Sequence, residues 1–371
     1  MIYLNHAATS YPKPACVLEA HARALAAPPQ SQFRAEAGGG QAPFQTCRES
    51  LAVLLGIPDP ARIFFTSGAT EALNALISGV LAAGGKLAAT ETEHNSVLRP
   101  LANLACGYAL LPCDADGMVD PREIAGLPEN VTALVVNHCS NVTGAVQDMA
   151  PIAKAAHARG MLLIADVSQS AGCVPVDAAA WDADAIAFTG HKALLGPQGT
   201  GGFYLRKGMP LRPLAFGGTG RDSAKLHYDP AEYEYEVGTQ NAPGIAALDA
   251  GVRYVLDKGM KTTVAEEGAL TRTLREELAA IRGVTVYGKA GGGPVVSFTL
   301  AGMSPADVAY ILFEAYGIVL RSGLQCAPLI HRRIGAGTHG VVRASIGSFT
   351  TAEDITALLS AMREIAEVSG A

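Results

Sequence analysis

The segment Ala185-Ile186-Ala187-Phe188-Thr189-Gly190-His191-Lys192 is an apolar run that ends in a hydroxyl, a glycine, an imidazole and an amine. A lysine after a strand is usually a solvated surface charge. Here its polar neighbours suit a partly enclosed site that favours the neutral amine, the form that adds to a carbonyl to give an imine. Thr189 and His191 could hold a phosphate beside that amine. In Met161-Leu162-Leu163-Ile164-Ala165-Asp166-Val167-Ser168-Gln169 an apolar run delivers Asp166 to the C-terminal end of a buried strand. Ligands bind at that edge in open α/β sheets. A carboxylate there can pair with a pyridinium nitrogen and keep it protonated, so that the ring acts as an electron sink. The plain alternative is an N-capping aspartate.

Three more segments add polar groups. In Ile63–Ala72 a strand leads through Ser67-Gly68 into a helix whose first turn holds Ala69 and Thr70. The free N–H groups of that turn and the Thr70 hydroxyl suit a phosphate, although Ser-Gly before a helix is also an ordinary start. His94, in Glu91–Ser96, follows a strand and could stack on a flat ring. Asn141, in Asn137–Gly144, could reach a phenolic oxygen. Each alone reads as a loop residue; their joint arrival after successive strands carries the functional reading. Gly335–Gly340 satisfies G-x-G-x-x-G, but the strand-before, helix-after context of a dinucleotide site is reversed, so it reads as a flexible loop.

The elements that must position these groups alternate. Strands are expected at 62–66, 86–90, 132–137, 161–166, 185–189 and 202–206, with helices at 70–82, 96–105 and 151–159. That order predicts a mostly parallel sheet covered by helices. The tyrosine-rich stretch 230–235 reads as a loop. After Asn241 the character changes to a long helical stretch at 245–281, interrupted near Lys258-Gly259. Short strands at 284–287, 295–300 and 341–346 and helices at 305–316 and 352–368 follow. The glycines at 291–293 read as a turn.

The 371 residues carry a net charge of −6, which provides no basic surface for nucleic acid. The opening residues lack a secretion signal, and no apolar run approaches the ~20 residues that cross a bilayer. Seven cysteines, an odd number with no C-x-x-C pair, argue against a disulfide framework or a metal site. A cytoplasmic protein with reduced thiols is expected.

Taken in order, Thr189-Gly190-His191-Lys192, Asp166-Val167-Ser168-Gln169, Glu93-His94 and Ser140-Asn141 resemble the class V aminotransferase family of fold-type I pyridoxal 5′-phosphate enzymes. The opening Tyr3–Thr9 is similar to that family's start, with His6 where Asn is more usual. Leu320–Pro328 resembles the Arg-x-Gly-x-x-Cys loop of the cysteine desulfurase and selenocysteine lyase branch, in the short form of its second group. Gln325 stands where related sequences often carry His. Val342–Ser345 is similar to the strand whose arginine grips the substrate carboxylate.

The resemblance implies an aspartate aminotransferase-like α/β fold: a large cofactor domain at 15–245, and a small α+β domain at 246–371 joined by segment 1–14. It implies that Lys192 carries pyridoxal 5′-phosphate as a Schiff base, Asp166 pairs with the ring nitrogen, and His94 stacks on the ring. Asn141 and Gln169 would bond the phenolic oxygen. Ala69, Thr70, Thr189 and His191 would hold the phosphate, with Thr239 reaching it from the neighbouring subunit of a homodimer. Arg343, Arg321, Asn141 and Ala8 would bind the substrate, L-cysteine or L-selenocysteine. Cys326 would take the sulfur as a persulfide, to pass it to an acceptor that the sequence does not name, in iron–sulfur cluster assembly or another sulfur pathway. The other six cysteines read as packing. A selenocysteine lyase, a plain aminotransferase or β-eliminating lyase with an incidental Cys326, and a cofactor-binding scaffold without turnover are the rival readings.

Overall fold

The computed structural model describes residues 1–28, 43–104, 107–219, 224–229 and 234–370. The chain opens with β1 (Ile2–Tyr3), α1 (Ala15–Ala26) and α2 (Pro43–Leu55). It then alternates through β2 (Ile63–Thr66), α3 (Ala69–Ala82), β3 (Leu87–Thr90), α4 (Asn95–Asn103), β4 (Ala109–Leu111), β5 (Ala133–Asn137), α5 (Met149–His157), β6 (Leu162–Asp166), β7 (Ala185–Thr189) and β8 (Gly201–Leu205). These strands form one sheet in the order β2-β8-β7-β6-β5-β3-β4. Strand β8 alone runs opposite to the other six, which all point the same way.

Side chains alternate across this sheet, as the period of two requires. Leu134, Val136, Leu163, Ala165 and Ile186 enter one core, and Ala133, Val135, Ile164, Ala185 and Ala187 enter the core on the opposite face. Burial on both faces explains why these strands read as unbroken apolar runs. Their expected limits hold to within one residue at each end. The unforeseen β4 is three residues long and only one of them is buried, too short a run to mark a strand.

Beyond lie α6 (Ala242–Lys258), α7 (Met260–Ala279), β9 (Val284–Tyr287), β10 (Val295–Leu300), α8 (Pro305–Tyr316), β11 (Ile318–Val319), β12 (Arg321–Gly323), α9 (Pro328–Arg333), β13 (Val341–Ser345) and α10 (Ala352–Ser369). The helical stretch breaks at Gly259, whose φ of 81° lies where only glycine sits without strain. Ile245, Leu248 and Val252 of α6 belong to the core of the large sheet, whereas Leu274 and Leu278 of α7 belong to a separate core. That second core is covered by an antiparallel sheet in the order β12-β13-β10-β9. Strand β1 pairs with β11 and Asn5 bridges to Ser345, so the N-terminal segment lies against the C-terminal elements. Residues 335–340 form turns, not a helix, before β13. Residues 230–233 of the tyrosine-rich stretch, Ala105 at the end of the helix expected at 96–105, and Cys106 lie outside the described residues.

One buried ion pair ties α2 to β2. Arg48 meets Glu236 at 2.6 Å, with side chains 9% and 4% exposed. Arg48 also donates to the Ile63 carbonyl, and Glu236 accepts from the Phe65 amide. Removing one partner of a buried pair leaves an uncompensated charge, at a cost of about 3–5 kcal/mol. Glu236→Ala is therefore expected to lower the urea-unfolding free energy by that amount. A loss below about 1 kcal/mol would show that water reaches Arg48.

Candidate active site

Parallel register sets the floor of the site. Asn137 ends β5 opposite Asp166 at the end of β6, and Asp166 is paired with Ala187 of β7, two residues before Thr189. The C-terminal ends of β2, β3, β5, β6 and β7 therefore open at one edge. A cavity of about 350 Å³ lies there, and Ala8, Ala69, Thr70, His94, Asn141, Asp166, Gln169, Thr189, His191, Lys192, Arg321 and Arg343 all line it. Twelve of the fourteen sequence-expected site residues thus meet in one place; Cys326 and Thr239 are the two outside it.

Lys192 follows β7 on a turn that the N-terminal segment holds from behind. The His191 carbonyl accepts from the Ser10 amide, the Ser10 and Thr9 hydroxyls and the Lys13 ammonium, at 2.9–3.1 Å. Ser10 Oγ also reaches the Lys192 carbonyl at 2.8 Å. With its backbone fixed, the Lys192 side chain is half-buried and lines the cavity. Burial lowers its amine to about 8, helped by Arg343 and Arg321 and opposed by the attraction of Asp166.

Asp166 lies 6% exposed beside it, and burial pushes its carboxyl up from the usual range. The Ser168 amide (2.9 Å) and hydroxyl donate to its Oδ1 and favour the charged form. His94 caps α4: its Nδ1 accepts from the Ser96 amide at 3.0 Å, which places the ring hydrogen on Nε2. Burial, reinforced by Lys192 and Arg321, lowers His94 to about 4, so the ring is neutral. Ser96 Oγ links His94 to Thr70 Oγ1, both at 2.8 Å. No side chain caps the first turn of α3, leaving its N–H groups available at the cavity.

Two arginines form the opposite wall. Arg321 of β12 and Arg343 of β13 are directly paired across the sheet, a like-charge arrangement that costs stability. Among the described residues neither has a carboxylate within ion-pair distance. Arg343 is 1% exposed, donates to the Asn141 carbonyl at 3.0 Å and to Asn5 Oδ1 at 3.4 Å, and leaves Nε without a partner. Burial, with repulsion from Arg321, lowers it to about 9. Such a pair is an anion site built into the protein.

Cys326 sits just outside, on a neighbouring groove of about 480 Å³ that shares Thr70, His94 and Ser96 with the cavity. Arg321 donates to its Sγ at 3.0 Å. Gln325 and Cys326 have φ of 49° and 59°, a left-handed pair of non-glycine residues. The loop is held by the Asn141 amide on the Gln325 carbonyl (2.6 Å) and the Asn95 amide on the Cys326 carbonyl (2.7 Å). The buried Gln325 side chain donates to the Arg321, Gly323 and Val341 carbonyls, so this residue braces the loop from inside.

Thr239 is exposed on a different groove, which shares only Ser67, Glu71 and Gly199 with the cavity. Of the remaining cysteines, Cys47, Cys113, Cys139 and Cys173 are buried and their thiols are pushed up by burial, as packing requires. Cys16 departs from that expectation, being exposed on α1, and Cys139 lines the cavity. Sequence reasoning missed Asn5, Ser96 and Ser168 as partners. Ser96 and Ser168 each stand two residues after the group they serve, the spacing of a local side-chain turn, which was a readable signal. Asn5 acts across 338 residues and left none.

The donor set fits a flat, anionic ring compound carrying an aldehyde and a phosphate. The buried Asn141 Oδ1, Arg343 Nε and His191 Nδ1 are without partners, and amine, carboxylate and uncapped helix start face one volume.

The description "Aminotransferase class-V" fits residues 2–358 of the chain. The "Probable cysteine desulfurase" of Methanothermobacter thermautotrophicus is 34% identical over 87% of this chain and 83% of its own. "Cysteine desulfurase CsdA" of Escherichia coli is 30% identical over 99% of this chain and 94% of its own. The crystal structure of CsdA in its S-sulfonic acid form superposes with a TM-score of 0.88 at 28% identity, covering 99% of this chain and 95% of that one.

Proposed function

The chain belongs to the class V aminotransferase family, and within it we propose a pyridoxal 5′-phosphate-dependent cysteine desulfurase that converts L-cysteine to L-alanine. The observation that carries this reading is Cys326, bonded to Arg321 at the mouth of the Lys192 cavity. A plain aminotransferase has no use for a strained cysteine loop there.

Pyridoxal 5′-phosphate, the cofactor of this family, supplies an aldehyde and an electron-withdrawing ring that makes the α-hydrogen of a bound amino acid acidic. Thr70, Thr189, His191 and the N–H groups at Ala69 and Thr70 would hold its phosphate, with Thr239 contributing from the second subunit of a homodimer. Asp166 would pair with the ring nitrogen and His94 would stack on the ring. Asn141 and Gln169 each have a second amide hydrogen for the phenolic oxygen, the first being spent on Gln325 and Ala7.

Arg343 grips the substrate carboxylate, beside Arg321, Asn141 and Ala8. The neutral Lys192 amine takes the α-proton. Cys326, held by the Arg321 guanidinium, attacks the substrate sulfur as a thiolate. A sulfur–sulfur bond forms, and the electron pair of the breaking carbon–sulfur bond stays with the substrate carbon, which gains a proton and leaves as alanine. The persulfide on Cys326 then passes to an external acceptor.

The division into a large unit at 15–245 and a small one at 246–371 joined by segment 1–14 belongs to the same proposal. Because α6 packs on the large-sheet core, we move the boundary in this proposal from 245 to the end of α6, after Lys258. A cytoplasmic location agrees with the free thiols; among the described residues no helix is long and apolar enough to cross a membrane.

The test is a paired assay of the cofactor-loaded protein with L-cysteine and a reductant. Alanine and sulfide are expected in equal amounts. L-Selenocysteine runs in parallel, and turnover of that substrate alone would replace this reading by a selenocysteine lyase. Pyruvate in place of alanine would replace it by β-elimination.

A further inference from the structure

Next to His94 lies a buried carboxyl that the mechanism does not use. Glu93 stands in the turn between β3 and α4 and is fully buried. Its Oε1 accepts from the Asn137 backbone amide at 2.7 Å and lies 2.7 Å from Thr90 Oγ1. Thr90 Oγ1 in turn lies 2.7 Å from Thr92 Oγ1, and Thr92 Oγ1 lies 3.0 Å from Asn137 Oδ1. The Asn137 side chain is oriented by its Nδ2, which donates to the Thr92 carbonyl at 2.7 Å. Asn137 ends β5, lines the cavity and is paired with Asp166, whose carbonyl accepts from the His138 amide. The row of oxygens therefore joins the turn that carries His94 to the strand end beside Asp166.

Three gaps separate Glu93 Oε1, Thr90 Oγ1, Thr92 Oγ1 and Asn137 Oδ1, and each is at hydrogen-bond distance and needs one hydrogen. The threonine hydroxyls supply one each, and Asn137 Oδ1 only accepts. With Glu93 as a carboxylate, one gap is left with lone pairs facing lone pairs. With Glu93 as the acid, its O–H donates to Thr90, Thr90 donates to Thr92 and Thr92 to Asn137, and every gap is filled. Glu93 Oε2 agrees with the neutral form. Among the described residues it has no partner, a position that a buried charge tolerates least.

We infer that Glu93 is a positioning residue whose carboxyl hydrogen completes this row, locking the His94 turn onto the end of β5 and keeping a second negative charge away from Asp166. Its effect on turnover rests on the desulfurase reading; the row itself does not. Burial raises Glu93 to about 8, with the Thr90 hydrogen bond opposing and the charge of Asp166 on β6 adding to the rise. Strands β3 and β5 present hydroxyls and amides to it. Lys192 acts on Asp166, Glu91 is paired with Arg333, and burial lowers His94 and His138 to about 4, so both rings are neutral. Repulsion between carboxylates is mutual, so a charge on Glu93 would raise the proton affinity of Asp166. Asp166 must stay charged to keep the ring nitrogen protonated. Turnover should therefore decline as pH rises through about 8 and Glu93 loses its proton.

The test uses the cofactor-loaded protein. Infrared spectra of wild type are expected to show a protonated-carboxyl band that fades as pH rises through about 8 and is missing in Glu93→Gln; a band of equal size in both proteins overturns the inference. Glu93→Ala releases the His94 turn and is expected to at least halve the visible circular dichroism of the bound cofactor; an unchanged signal overturns it. Glu93→Gln is neutral at every pH, but no single atom of its amide both donates and accepts. Its kcat for alanine formation is expected to fall about tenfold, less than the ~10²-fold that a misplacement of about 1 Å can cost. The wild-type decline through about pH 8 should vanish in this variant, whereas a merely structural residue would leave that decline in place, and its persistence overturns the inference. Should Glu93→Gln not fold, Thr92→Val decides. With the middle hydroxyl gone, Thr90 is free to donate to a Glu93 carboxylate, and the infrared band is expected to fade at a pH lower by about 1; a midpoint that stays or rises overturns the inference. Wild type forming no alanine would sink the desulfurase reading, and the infrared band would then decide the role of Glu93 alone.

Discussion

Cys326→Ala will form neither sulfide nor alanine from L-cysteine at a measurable rate, a loss of at least ~10³-fold, while retaining the cofactor's absorbance. Two physical arguments set the size of this effect. The thiol has one close polar partner, the Arg321 guanidinium at 3.0 Å, which holds the sulfur in one position beside the cavity. The backbone at Gln325 and Cys326 stays in the left-handed region, at roughly 1–3 kcal/mol per residue, and the surrounding bonds from Asn141, Asn95 and the Gln325 side chain keep it there. A small side chain that only filled space would not require such a loop. Cys16→Ala is the control, because Cys16 lies exposed on α1 away from the cavity. Sulfide formation by Cys326→Ala within tenfold of wild type would remove the nucleophile from the mechanism and leave a β-eliminating enzyme.

The parts of the site that could be read from the sequence are those that one strand delivers locally. Asp166, Lys192 and His94 each follow an apolar run that ends at the same sheet edge, so their order along the chain already places them together. The long apolar runs mark buried parallel strands for the same reason. What could not be read depends on register between distant segments. Nothing near Arg321 announces that it will stand opposite Arg343, and pairing two cations would be a poor choice for stability alone. The brace that Gln325 provides is equally hidden: its side-chain amide serves three carbonyls of the surrounding loop and strands. Glu267 lies in a helix whose polar residues look solvated, and only the tertiary fold buries it beside Ser348. Residues whose meaning comes from tertiary pairing break local rules, and such places are where function is concentrated.

Lys192→Ala is expected to abolish turnover, by at least ~10³-fold, and to weaken cofactor retention, seen as loss of bound absorbance on gel filtration. The structure separates this from a folding defect. The turn at 191–192 is fixed through backbone carbonyls by Ser10, Thr9 and Lys13, so truncating the side chain leaves those bonds in place. Removing a buried, costly amine also lifts a desolvation penalty, and the variant is expected to unfold no earlier than wild type. The amine's own titration gives an independent check on the cofactor-free wild type. Burial and the two arginines lower Lys192 to about 8, and only the neutral amine can add to an aldehyde. Uptake of pyridoxal 5′-phosphate should therefore quicken as pH rises through about 8, and level off well below the pH at which an ordinary lysine loses its proton. Uptake that keeps rising toward pH 10.5, the ordinary lysine value, would mean that water reaches the amine and that the enclosure by Arg321 and Arg343 is not closed. Those same two charges hold the amine neutral and bind the substrate's carboxylate, so the anion that neutralises them on arrival should let Lys192 keep a proton more readily. The base is therefore weakest before substrate binds and stronger once the carboxylate is seated, which confines proton abstraction to the occupied site.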